Sequence, residues 1–144
     1  MSEIILNSLE ELTPKKYQEL IEAISYIDET KIATELSTQP YRFSYWSKYM
    51  ADAKRDLDKA KMDLEIQVAL IQEDLINNSQ TKLTDKKLNS KVMADPMYSS
   101  LRHVVTDKEY KYNLLRNITE ALKQRKDMLI QLSANNRKET DLYT

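Results

Sequence analysis

The sequence predicts an all-α, oligomeric protein. Its frame is a long antiparallel helical hairpin, with a short helix in the connection and an amphipathic helix ahead of it. Three observations carry this. The 144 residues contain no glycine, where average usage would place roughly ten. Glycine supplies the left-handed backbone of tight β-turns and most helix C-caps, so a chain without it favours a few long helices. Two long stretches also keep a heptad-like apolar rhythm, and hydrophobic content of 41% beside 31% charge is not the profile of a disordered chain.

The elements follow in order. Thr13-Pro14 reads as an N-cap with proline at the first helical position. Tyr17, Leu20, Ile21, Ile24 and Ile27 share one face, which predicts a helix over 14–29. Thr30 to Pro40 reads as a loop. The first long helix is expected over 41–76, with Phe43, Met50, Leu57, Leu64 and Ile71 recurring every seven residues. Trp46, Ala53 and Ala60 fill the second seam position, which moves to Val68 and Leu75 by a four-residue stutter.

Residues 62–70 also alternate apolar and polar, the strand signal, but helix formers surround them and no turn residue separates them from the heptads. As a helix this segment is apolar nearly all round, so one hairpin partner cannot cover it. A further helix or a second subunit is expected there, hence a homo-oligomer.

Residues 77–81 form a polar break. Thr84 caps a short helix to about Ala94, and Asp95-Pro96 opens the second long helix. Its stripe is Leu101, Val104, Tyr112, Leu115, Ile118, Leu122, Leu129 and Leu132, ending near Ser133, with a frayed tail beyond. The expected organisation is an acidic segment 1–40, a hairpin core 41–138 and a tail 139–144.

The same residues exclude several chemistries. There is no cysteine and a single histidine, His103, so neither a disulfide framework nor a zinc site is expected. Without glycine no phosphate-cradling loop can form, and no cofactor is expected. Carboxylate pairs such as Asp52–Asp56 and Asp56–Asp63 read as solvated helix faces. No apolar run approaches the roughly 18 residues that span a bilayer. The start MSEIILNSLEEL lacks a signal peptide's basic opening, so a cytoplasmic protein without membrane contact is expected.

Charge is asymmetric. Residues 1–40 carry 3 basic and 8 acidic side chains, whereas residues 77–144 carry 13 and 8. The candidate polyanion footprint is Lys82, Lys86, Lys87 and Lys91, then Lys123, Arg125, Lys126, Arg137 and Lys138. The densest aromatic cluster, Tyr41 to Tyr49, adds Arg42 and Lys48 and could stack bases through Tyr45 and Tyr49, while Phe43 and Trp46 sit on the core seam.

YRFSYWSKYMADAKRDLDKAKMDLEIQVAL, beginning at Tyr41, resembles the opening long helix of phage recombination mediators of the UvsY type. VMADPMYSSLRHVVTDKEYKYNLLRNITEALKQRKDMLIQL is similar to their second half, so the resemblance covers about residues 40–138. It implies a non-enzymatic protein that binds single-stranded DNA as a ring-like oligomer. It also implies two protein partners, a RecA-like recombinase to be loaded and the single-strand-binding protein that covers the strand. One departure matters. After Val-Ala-Leu the family continues with a basic Lys-Ala-Arg-Leu run, whereas here Ile71-Gln72-Glu73-Asp74-Leu75 follows. That site does not carry over, and DNA contact would rest on the other cations. The alternative reading is a helical adaptor, an assembly or host-modulating protein that binds only proteins.

Overall fold

A computed structural model describes residues 5–143. The parts of the terminal readings that fall on residues 1–4 and 144 lie outside the described residues. The protein is all-α. Helix α1 spans Pro14–Ser25, α2 Ile32–Asn77, α3 Asp85–Ala94 and α4 Pro96–Tyr143, with single 3-10 turns at Leu9–Glu11 and Glu29–Lys31. No described residue lies in a strand, and none has a positive φ. The alternating segment 62–70 is helical throughout.

The caps are local and legible. Thr13 Oγ1 accepts from the Lys16 N–H at 3.2 Å, Thr84 Oγ1 from the Lys87 N–H at 3.3 Å, and Asp95 Oδ1 from the Met97 N–H at 2.8 Å. Each satisfies one of the donors that a helix start leaves unpaired.

Four expectations are corrected. Helix α1 stops at Ser25 rather than residue 29, because Tyr26 is extended (φ −85°, ψ 129°). Helix α2 begins at Ile32 and passes through Pro40, where a loop was expected. Proline removes the donor to the Leu36 carbonyl and costs about 3 kcal/mol inside a helix. Burial of Ile32 opposes that cost, as do the Arg125 bond to Glu35 and the Gln39 side-chain amide, which donates to the Leu122 carbonyl at 2.7 Å. Helix α4 runs to Tyr143 instead of fraying after Ser133, since no proline or glycine interrupts it after Pro96. Its inward valine is Val105 at 1% exposure, while Val104 is 43% exposed.

Two compact units divide the described residues. The first joins the chain up to Asp52 with the chain from Asn113 onwards. Its buried hydrophobic residues are Leu6, Leu12, Leu20, Ile24, Ile32, Trp46, Leu114, Leu115, Ile118, Leu122 and Leu129. The N-terminal residues are held on the aromatic cluster of α2. Tyr49 Oη donates to the Leu6 carbonyl at 2.7 Å, Tyr45 Oη donates to it at 3.2 Å, and the Leu6 N–H donates to Tyr45 Oη at 3.1 Å.

The second unit is Ala53–Tyr112, with a core of Leu57, Ala60 and Val105 on which Leu64 and Tyr112 pack. Lys54 Nζ lies 5.9 Å from the Tyr112 ring centroid. No helix among the described residues is long and apolar enough to cross a membrane.

Candidate nucleic-acid interface

The eleven candidate cations separate into a buried Arg125, a partly buried Arg42 and an exposed set of nine. Arg125 was expected on the polyanion surface, but its side chain is 2% exposed and lies inside the first unit. Its Nη2 donates to Glu35 Oε2 at 2.5 Å. Its Nη1 donates to the carbonyls of Ile24 at 2.8 Å and Tyr26 at 2.5 Å. These carbonyls belong to the end of α1, so Arg125 adds to the local cap that the Tyr26 N–H makes to the Ala23 carbonyl. Arg42, at 11% side-chain exposure, donates to the same Glu35 oxygen at 2.6 Å. Arg125 thus ties α4 to the end of α1 and to Glu35 of α2, whereas Arg42 pairs with Glu35 within α2. Both guanidinium groups are engaged there and leave little charge for a DNA surface.

Burial alone would push the Glu35 carboxyl up. The hydrogen bonds and charges of Arg42 and Arg125 outweigh it and hold the group below its ordinary value of 4.5. The unfolded chain therefore takes up this proton before the folded one. The triad's contribution is complete above pH 4.5 and is lost as pH falls through the lower folded value. Thermal midpoints of wild type and Glu35→Gln should converge as pH is lowered from 7 through that window. A gap that stays constant down to pH 3 would show that Glu35 does not titrate there.

The remaining cations are exposed. Lys82, Lys86, Lys87 and Lys91 belong to the second unit, on α3 and the chain just before it. Lys123, Lys126, Arg137 and Lys138 lie on α4 in the first unit. Lys48 pairs with Asp52 at 3.3 Å and sits 5.2 Å from the Tyr49 ring centroid. Lys123 approaches Glu120 at 3.9 Å, and Lys126 approaches Asp127 at 3.6 Å. Such exposed pairs contribute little and yield readily to a competing phosphate.

One arrangement combines aromatic and cationic groups in a concave surface. Gln39, Pro40, Phe43, Lys123 and Lys126 line a groove of about 270 Å³ in the first unit. Phe43 is half-buried, and Lys123 Nζ stands 6.0 Å from its ring centroid. An apolar floor with two ammonium groups at its edge can hold a base against the ring and a phosphate against the lysines.

Pro40 and Phe43 were missed as groove residues, because a loop was expected at Pro40 and a closed seam at Phe43. The expected stacking candidates are otherwise engaged: Tyr45 and Tyr49 bind the Leu6 backbone. Burial pushes the Tyr45 phenol up. Among the described residues no group of three or more His, Asp or Glu side chains could hold a metal ion. The chain matches no protein-family model, no curated protein and no solved structure.

Proposed function

We propose that this chain is a phage-type recombination mediator. In this reading it is a non-enzymatic, oligomeric accessory protein that binds single-stranded DNA and helps load a RecA-like recombinase onto strands covered by single-strand-binding protein. The observation that carries the DNA-binding part is the Pro40–Phe43 groove edged by Lys123 and Lys126. It lies partly on the half of the chain where 13 basic side chains face 8 acidic ones. The recombinase and the single-strand-binding protein enter through the family resemblance of residues 40–138. Each protomer offers a modest footprint, and an oligomer multiplies it through avidity.

A second reading, a helical adaptor that binds only proteins, is favoured by the structural use of Arg42, Arg125, Tyr45 and Tyr49. The two separate in one titration. Fluorescence anisotropy of a labelled oligothymidine should show binding whose log affinity falls with log salt by about 0.7 per neutralised phosphate. Lys123→Ala with Lys126→Ala should weaken binding to all sequences alike and flatten that slope by one to two contacts. Arg125 is unsuitable for this test, because its loss reports on folding. If the unmodified protein binds no single strand at low salt, the mediator reading falls and the adaptor reading replaces it.

A further inference from the structure

Helix α2 of the second unit carries an apolar stripe on its outer side. Met62, Ile66, Leu70 and Ile76 are 59%, 54%, 53% and 58% exposed. Ala69 is exposed beside them. The inward face of the same helix is Leu57, Ala60, Leu64 and Ile71. At about 100° per residue the stripe lies roughly 180° from that inward face. It therefore points away from the packing partner of α2 in this unit. A contiguous row of large exposed apolar side chains is the mark of an interface.

The pattern also selects the occupant. Ile66 sits at its centre, with Met62 four residues before it and Leu70 four residues after. Lys59 stands seven residues before it and Glu73 seven after, both exposed. Neither makes an ion pair among the described residues. Steps of four and seven residues stay on one helix face. A second copy laid antiparallel with Ile66 on the two-fold axis places Met62 on Leu70 and Lys59 on Glu73, each contact occurring twice. A parallel copy would set Lys59 against Lys59 and Glu73 against Glu73. Self-complementarity of this kind is what an isologous interface requires. Ala69 lets the helix axes approach.

We propose that two copies of this chain pair antiparallel through the outer face of α2, centred on Ile66, with Lys59 of each copy opposite Glu73 of the other. The proposal stands whether or not the protein binds DNA.

Four measurements test it. Sedimentation of the wild type across micromolar concentrations should show a mass of twice the monomer, or an even multiple of it. A monomer throughout, or an odd number of copies, overturns the two-fold contact. Ile66→Glu brings two carboxylates together on the axis and should weaken pairing by at least ~100-fold. Because Ile66 is exposed in the single chain, helicity should hold while the thermal midpoint loses its dependence on protein concentration, and an undiminished dimer would refute the face. Lys59→Glu and Glu73→Lys should each weaken pairing and restore it when combined. Failure of the combined variant to recover rules out the antiparallel register. The chain has no cysteine of its own, so Ile66→Cys should cross-link copies on oxidation. Met62→Cys should do so only together with Leu70→Cys, and cross-linking through Met62→Cys alone would indicate a parallel pair.

Discussion

Arg125→Ala is expected to lower the unfolding free energy by about 3–5 kcal/mol, the cost of breaking a buried ion pair from one side. The substitution leaves Glu35, itself 5% exposed, with Arg42 as its remaining cation. It also leaves the carbonyls of Ile24 and Tyr26 without the donor that closes the end of α1. Unsatisfied buried groups of this kind retain their full desolvation cost. Urea denaturation should show the loss as a lower midpoint. The exposed neighbour Lys126→Ala should stay within about 0.5 kcal/mol of wild type. A double-mutant cycle of Glu35→Gln and Arg125→Ala should give strong coupling, since the two side chains share a hydrogen bond. Additive losses would mean that Arg125 acts through packing alone.

The second large effect lies one helical turn away. Leu122 is fully buried in the first unit, as are Leu115, Ile118 and Leu129 along the same face of α4. Leu122→Ala is expected to cost about 2–5 kcal/mol, combining lost transfer energy with the cavity left behind. The Leu122 carbonyl also accepts the Gln39 amide, on the segment of α2 that carries Pro40. A shift of the α4 backbone at that point therefore loosens the proline-containing turn. Val104→Ala serves as the contrast, because Val104 is 43% exposed despite its place in the apolar rhythm. It should change stability by less than about 0.5 kcal/mol. Equal losses at the two positions would contradict the face assigned to α4.

What could be read without the structure shares one property: its cause lies within a few residues of its effect. The caps at Thr13, Thr84 and Asp95 are hydrogen bonds spanning two or three residues. The all-α class follows from the absence of glycine and from apolar spacing. The seam residues Leu57, Leu115, Ile118, Leu122 and Leu129 fall where helical periodicity places them, and all are buried. The outer stripe around Ile66 was legible for the same reason, as surplus apolar surface on a helix whose inner face was already assigned.

What tertiary structure decided are the places where a distant partner overrides a local rule. Pro40 marks a helix boundary by local sterics, yet α2 runs through it, with Glu35 and Gln39 anchored on α4 just before it. Arg125 reads as one more cation in a basic stretch. Only the approach of Glu35, 90 residues away, and of the end of α1 turns it into a buried clasp. Tyr45 and Tyr49 resemble free stacking groups until Leu6 arrives to bind their hydroxyls. A buried charge or phenol is stable only when satisfied, and its partners here come from far along the chain, where neither periodicity nor capping rules reach.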